Sequence, residues 1–116
     1  MGTNWSDDIV IAELSDEPAL SEELAAMESR VVDEAKPPHV VLNFSQVTYV
    51  NSSNIGQLLK LRMALNGKKR QLRLCSVCDE VWSVFMTTGL DKVFRFAPDP
   101  LSALAGLQIE SADGGR

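Results

Sequence analysis

Short apolar runs rich in β-branched residues alternate along this chain with stretches whose apolar residues recur every three or four positions. The first pattern is typical of strands and the second of amphipathic helices. We predict strands at Asp8–Leu14, His39–Phe44, Arg70–Ser76 and Lys92–Phe96. A helix follows each strand: from Pro18 to the stop at Lys36-Pro37-Pro38, from Ser52 or Ser53 to Asn66, over Asp79–Thr88 and over Pro98–Leu107. This β-α-β-α-β-α-β-α order predicts an α/β fold whose crossovers are right-handed.

Length and composition fit a single globular domain. The chain has 116 residues, 45% hydrophobic and 23% charged, and a chain of this size buries about two-thirds of its surface on folding. We predict one domain over residues 1–116, with a core at about 8–107 and a frayed tail at 108–116. No apolar run approaches the roughly 18 residues that cross a bilayer. The N-terminus also lacks the basic start of a secretory signal, so we expect a soluble, cytoplasmic protein.

Charge is distributed unevenly along the chain. Residues 1–40 hold ten acidic and two basic residues, whereas residues 41–116 hold six acidic and nine basic ones, and the total is −5. Proteins that bind nucleic acid take most of their affinity from Lys and Arg contacts to phosphate. The cluster Lys68-Lys69-Arg70 is too small to reverse the overall charge, and it is typical of a solvated turn. We therefore expect no direct binding to nucleic acid and none to a membrane.

Several residues that often carry chemistry do not form a complete catalytic set here. Cys75 and Cys78 form a C-x-x-C motif at a strand–helix junction, which allows a thiol oxidoreductase as a remote alternative. The single histidine, His39, gives zinc too few ligands and lacks the nucleophile elbow of a serine hydrolase, so we interpret it as half-exposed and structural. No phosphate-binding glycine motif is present. We expect no enzyme activity, metal or cofactor, and Trp82 is left open as an exposed contact residue.

The stretch VNSSNIGQLL at residues 50–59 is the most informative polar sequence. The apolar piece Val47-Thr48-Tyr49-Val50 precedes it, and a helical pattern with Ile55 and Leu58 follows it. A serine at this junction is a good helix N-cap. One cap does not require two hydroxyls between two asparagines. The N-terminus of a helix also stabilises an added phosphate, which brings about −1.5 to −2 charges without unfolding the domain.

The same stretch resembles the hallmark of the STAS domain, the family of bacterial anti-sigma-factor antagonists. That hallmark is an apolar strand, then Asp-Ser-Ser/Thr-Gly-Leu/Ile-Gly, then an amphipathic helix, and Val47–Gly56 matches it. Downstream, Leu72–Ser76 resembles the next strand of the family, and Val81–Phe94 resembles its segment of a helix followed by Thr-Gly-Leu-x-Lys-apolar-Phe. The similarity covers about residues 8 to 107. It implies a STAS-like fold, a small mixed β-sheet of about four to five strands with helices packed on it.

The resemblance also implies a function and a site. In the family, an anti-sigma factor acting as a serine kinase phosphorylates the serine that follows the Asp, a phosphatase resets it, and the unphosphorylated form binds the anti-sigma factor. Ser52 is the matching position, with Ser53 as the alternative acceptor. The residues expected to bind the partner are Asn51, Ser52, Ser53, Asn54, Ile55, Gln57 and Lys60, with Arg62 on the same helix. A weak homodimer is the one further association expected.

Two residues depart from the family pattern. Asn51 replaces the Asp and removes its negative charge, which slows or prevents phosphorylation if that charge activates the serine. Asn54 replaces the first Gly and adds bulk where a partner approaches the backbone, although Asn tolerates unusual backbone conformations. These departures favour the alternative that the protein is a constitutive STAS scaffold or sensor module that is never phosphorylated.

Overall fold

The computed structural model describes residues 3–5 and 9–112, with side chains for residues 9–107. It contains a five-stranded sheet, four α-helices and a short 3₁₀ helix. The strands are β1 (Thr3–Trp5), β2 (Ile9–Ser15), β3 (His39–Gln46), β4 (Leu72–Cys75) and β5 (Arg95–Ala97). The helices are α1 (Ala19–Asp33), α2 (Ser52–Gly67), α3 (Asp79–Thr87) and α4 (Pro100–Ala112), with the 3₁₀ helix at Leu90–Lys92.

The strands lie in sequence order across the sheet, β1-β2-β3-β4-β5. β1 pairs antiparallel with β2, while β2, β3, β4 and β5 run parallel to one another. In register, Val10 lies opposite Val40, and Val40 lies opposite Leu72. This mixed sheet with helices confirms the predicted fold class. Because the last four strands are parallel, all the loops that lead from these strands into helices meet at one edge, the carboxyl edge of the sheet.

Two apolar layers cover the sheet. The larger core joins one face of β2, β3 and β4 to α1, α2 and α3, and it includes Leu24, Phe44, Leu61 and Phe85. A smaller cluster on the opposite face joins Val41 and Cys75 to Ala103 and Leu107 of α4. β3 is buried along its first six residues, as expected for a strand covered on both faces. At about 25 cal/mol per Å² of apolar surface, this burial is the main stabilising contribution.

The sequence-based boundaries differ from the observed ones in several places. The β1 strand was not predicted, and the last strand was predicted at Lys92–Phe96 but lies at Arg95–Ala97. The apolar piece at residues 47–50 is a loop, and Val47 and Val50 are nevertheless buried. α4 was predicted to end at Leu107 but extends through part of the predicted tail to Ala112. Residues 113–116 of that tail lie outside the described residues.

Gly89 directly follows Thr88, the C-cap of α3. Its φ of 77° lies in the left-handed region that glycine adopts without steric penalty.

Within the described residues, no helix has both the length and the apolar character needed to cross a bilayer.

Lys68 caps the neighbouring helix α1 from the end of α2. Its Nζ donates to the carbonyl oxygens of Val31, Val32 and Glu34, at 2.8, 2.7 and 2.6 Å. The last carbonyls of a helix have no partner within the helix, and a cation there also opposes the helix dipole. Lys68 therefore joins the C-terminal ends of the two helices that cover one face of the sheet.

We expect Lys68→Met to lower the free energy of unfolding by about 1–3 kcal/mol, because hydrogen bonds to a charged donor contribute more than neutral ones. Urea denaturation measures the change. Lys69→Met is the matched control, since Lys69 is the exposed neighbour in the same turn and has no described side-chain partner. Equal losses in the two variants would contradict the capping role of Lys68.

Candidate functional site

The predicted site lies at the carboxyl edge of the sheet. The loop from β2 to α1, the loop at residues 47–51 and the first turn of α2 meet there. In parallel α/β sheets, binding sites form at this edge because the loops that follow the strands converge on it. The chain thus brings residues from two distant sequence segments, 16–21 and 48–57, into one cluster of hydrogen bonds.

A reciprocal capping box holds the start of α2. Asn51 is the N-cap, with extended backbone (φ −108°, ψ 178°). The backbone N–H of Asn54 donates to Oδ1 of Asn51 at 2.9 Å, and the backbone N–H of Asn51 donates to Oδ1 of Asn54 at 3.0 Å. The sequence predicted Ser52 or Ser53 as the cap. The structure assigns that role to Asn51, so both serine hydroxyls are available for other contacts.

Asn54 connects this cap to helix α1. Its side chain is completely buried, and its Nδ2 donates to Oε2 of Glu17 at 2.8 Å. Weaker contacts of the same amide reach Ser21 Oγ at 3.5 Å and Gln57 Oε1 at 3.4 Å. Because a buried amide without partners is costly, the three acceptors explain why an asparagine is tolerated here. The amide supports the loop from inside and has no exposed surface in this structure.

Glu17 is itself held by the first turn of α1. The backbone N–H of Ser21 donates to Oε1 of Glu17 at 2.9 Å, and the Ser21 hydroxyl donates to Oε2. The bonds from Ser21 and then Asn54 favour the carboxylate and lower the pKa of Glu17 below its ordinary value of 4.5. Gln57 adds another link, since its Nε2 donates to the carbonyl of Ser21 at 3.0 Å. Glu17 is therefore an ionised acceptor that joins α1 to α2.

A second carboxylate holds the loop before the cap. The backbone N–H of Thr48 donates to Oδ1 of Asp16 at 2.8 Å, and the Thr48 hydroxyl donates to Oδ2 at 2.7 Å. These bonds lower the pKa of Asp16. They also engage the Thr48 hydroxyl, so this hydroxyl, unlike that of Ser52, is not available for other contacts. Asp16 and Glu17 together tie both ends of the segment 48–54 to the β2–α1 loop.

Ser52 and Ser53 are the exposed residues at the centre of this site. Both side chains face solvent, and neither makes a hydrogen bond in the part of the chain that the structure describes. Asn51 accepts the N–H groups of Asn54 and, through its carbonyl at 3.1 Å, of Ile55. The N–H groups of Ser52 and Ser53 remain as donors at the positive end of the α2 dipole. An anion on either hydroxyl would find favourable electrostatics there.

The other predicted contact residues differ in exposure. Lys60 is exposed, Gln57 is partly exposed but bonded to α1, and Ile55 is half-buried against the core. Arg62 follows Ser52 by ten residues, about 15 Å along the helix, and it faces a cavity at the other end of α2. These positions leave Ser52, Ser53 and Lys60 as the exposed members of the set.

Trp82 is not a free surface anchor. It is half-buried on α3 and packs edge-on against Phe96, with ring centroids 4.9 Å apart. With Val77 and Pro98 it lines an open depression of about 320 Å³ at the carboxyl edge. The sequence left the exposure of Trp82 open, and the structure shows it half-buried because β5 supplies an aromatic partner, Phe96, that lies fourteen residues away in sequence.

Cys75 and His39 are both buried. Cys75 is completely buried, and burial raises the pKa of its thiol, which disfavours the thiolate that a redox reaction needs. Cys78 is partly exposed, and its Sγ contacts the carbonyl of Val47 at 3.5 Å. His39 was predicted to be half-exposed but is buried, and its Nδ1 accepts the Gln71 N–H at 2.9 Å. It begins β3, so the full length of that strand separates it from Ser52.

Sequence reasoning missed the acidic half of the site. Asp16, Glu17 and Ser21 lie more than 30 residues before their partners on α2 and in its preceding loop. No local sequence pattern links residues at this separation. The pair Asn51 and Asn54 has the spacing of a capping box, but the usual signature has Ser or Thr first and Glu or Gln third after it.

The lowered pKa of Glu17 predicts a pH dependence. A carboxylate with a lowered pKa stabilises the fold above its unfolded-state value of 4.5, and this contribution is lost as the pH falls through the folded-state value. We expect Glu17→Gln to be less stable than the wild type at about pH 6, with the difference shrinking toward about pH 3. Urea denaturation across this range measures it, with Glu28→Gln within α1 as the control. A difference that stays constant with pH would contradict the assignment.

Comparison with known proteins identifies the family. Residues 12–103 match the family model described as the STAS domain. An anti-sigma-factor antagonist (STAS) domain protein from Planctomyces limnophilus is 17% identical, with 92% of this chain and 97% of that chain covered and a TM-score of 0.79. The anti-sigma factor antagonist SpoIIAA in its unphosphorylated form is 18% identical, with 92% and 95% covered and a TM-score of 0.77.

The same fold also occurs inside a much longer protein. In the murine Solute Carrier 26 family member A9 anion transporter, the match covers 91% of this chain but 18% of the transporter chain, with 16% identity and a TM-score of 0.73. At these identities the structural matches establish the fold alone. The family assignment rests on the model match, which spans most of the sequence from β2 into α4. This chain belongs to the STAS domain family.

Proposed function

We propose that this protein is an anti-sigma factor antagonist, switched by phosphorylation of Ser52. The observation that supports the proposal is an exposed, unbonded hydroxyl on the first residue of a helix whose N-cap is already supplied by Asn51. Such a hydroxyl can be modified without breaking any hydrogen bond of the described fold. The unmodified form binds the anti-sigma factor, which also acts as the serine kinase, and a phosphatase restores it. With these partners we expect the reaction to take place in the bacterial cytoplasm.

Charge explains how one phosphate would change binding. The described loops and first helical turns at the carboxyl edge carry six exposed carboxylates and no lysine or arginine; the acids are Asp16, Glu17, Glu22, Asp79, Glu80 and Asp99. Phosphorylation adds about −1.5 to −2 charges to this edge. A docking surface complementary to a neutral serine would then face a desolvated dianion, which costs several kcal/mol unless a cation pairs with it. The fold itself stays unchanged because the modified hydroxyl is outside the core.

Two matched serine variants identify the residue that accepts the phosphate. We expect Ser52→Ala to abolish phosphorylation by the cognate kinase and ATP, while Ser53→Ala keeps it, since both hydroxyls are exposed but Ser52 matches the family acceptor. Mass spectrometry of the tryptic peptide Val31–Lys60 locates the phosphate, because Pro37 protects the bond after Lys36. Phosphate that persists in Ser52→Ala would transfer the assignment to Ser53.

A constitutive scaffold is the second candidate, and Asn51 is the observation that favours it. This position holds an amide where the family has a carboxylate, and a neutral residue withholds any charge that activates the serine. As a scaffold, the protein would bind its partner through the same exposed edge whatever the supply of ATP.

Asn51→Asp distinguishes the two candidates. Aspartate keeps the capping oxygen, and a negative charge at the start of α2 adds about 0.3–1 kcal/mol to stability. If the protein is a switch whose rate is limited by the missing carboxylate, we expect the substitution to accelerate phosphate incorporation at Ser52. No incorporation in either form, with phosphatases inhibited and partner binding unaffected by ATP, would favour the scaffold.

A further inference from the structure

A polar cavity lies at the opposite, amino edge of the sheet. Its volume is about 190 Å³, and it is formed where α2 ends and where β4 and β5 begin. Arg62, Asn66, Gln71 and Arg95 supply its polar lining, and Leu72 and Phe94 are among its apolar residues. The proposed switch at Ser52 uses none of these residues. The cavity therefore needs an explanation of its own.

The side chains that line the cavity favour an anionic ligand. Two of the lining residues are arginines, and no carboxylate is among the lining residues that the structure describes. Arg62 is half-buried, and its guanidinium has no hydrogen bond or ion pair with any described residue. Asn66 and Gln71 add side-chain amides, which donate to oxyanions. Planar guanidinium groups bind phosphate and carboxylate through paired N–H donors.

The sequence segment that contributes most of the lining is also positively charged. Between Ala35 and Cys78 the sequence contains seven basic residues and no acidic one. The C-terminus of α2 opposes an anion with about half a negative charge, but the turn that follows satisfies two of its last carbonyls. The N–H groups of Lys68 and Arg70 donate to the Leu65 carbonyl, both at 2.9 Å, and that of Lys69 donates to Asn66 at 3.0 Å. The full positive charge of Arg62 in the lining therefore outweighs the half charge of the helix dipole.

The size of the cavity limits the ligand. Sites for drug-sized molecules and cofactors occupy about 300–1,000 Å³, and this cavity is smaller, at about 190 Å³. A whole nucleotide exceeds the space, whereas a single tetrahedral oxyanion fits it. We propose that the cavity between α2, β4 and β5 is a binding site for phosphate, either as the free ion or as the terminal group of a small ester, held by Arg62.

The test is an NMR titration of the unmodified protein with inorganic phosphate at constant ionic strength, using chloride as the balancing ion. We expect saturable shifts of the Arg62 Nε–H and of the side-chain amides of Asn66 and Gln71. A parallel titration with glycerol phosphate separates the two sources: saturation by both probes indicates an ester-binding site, and saturation by inorganic phosphate alone indicates the free ion. Linear, unsaturating shifts with both probes would overturn the proposal.

Matched variants separate a built site from general electrostatic attraction. Arg62→Gln should weaken phosphate affinity about tenfold or more, because it removes a charge-assisted hydrogen bond. Lys69→Gln removes one charge from the adjacent turn without altering the lining, so we expect a change of less than about twofold at ordinary ionic strength. Equal losses in the two variants would contradict the proposal. The titration needs no partner and no modified serine, so its outcome is independent of the proposed switch.

Discussion

The buried side chain of Asn54 is the contact on which the geometry of the site depends. Its carbonyl oxygen accepts from the Asn51 backbone, and its amide donates to the Glu17 carboxylate. One residue thus fixes the start of α2 and anchors it to α1, two elements that have no covalent connection near this point. Because its amide is desolvated, these bonds are worth more than equivalent bonds at the surface. Ser52 and Ser53 therefore lie on a turn that the buried Asn54 side chain stabilises.

In this site, the side chains that hold the loop are different from those that are available to a partner. Asp16, Glu17, Asn51 and Asn54 hold the loop through their side chains, whereas the two serine hydroxyls make no hydrogen bond with any described residue. A group added to a hydroxyl of this kind changes the charge and shape of the surface and leaves the packing below it intact. A docking switch of the proposed type requires this property, and a helix whose cap was the modified serine itself would lose a stabilising bond.

The fold class could be predicted because it depends on local patterns. The periodicity of Leu20, Leu24, Met27 and Val31 and the stop at Gly89 are each visible within a few residues of sequence. The antiparallel β1 was missed because a three-residue strand has too short a pattern. The loop at residues 47–50 was read as apolar and β-branched, since Val47 and Val50 are buried by the tertiary fold and not by a strand pairing.

Only the α2 side of the site could be predicted from the sequence. The serines and both asparagines were identified because they are adjacent in sequence, but Glu17 acts on them from 37 residues away. The capping role belongs to Asn51 and not to a serine because Asn51 and Asn54 exchange two local hydrogen bonds, a pair that departs from the usual residue types of a capping box. Likewise, Arg62 was grouped with Lys60 by sequence, yet two residues along a helix turn the side chain to a different face.

We propose that phosphate on Ser52 changes the docking edge without changing the fold. The most direct measurement compares the amide ¹H–¹⁵N spectra of the unmodified protein and of a sample treated with the cognate kinase and ATP. We expect a phosphate on Ser52 and shifts confined to about residues 47–57 and the facing β2–α1 loop. Shifts that spread through the core strands, at Val40, Leu42 or Leu74, or a sample that takes no phosphate at Ser52, would contradict it.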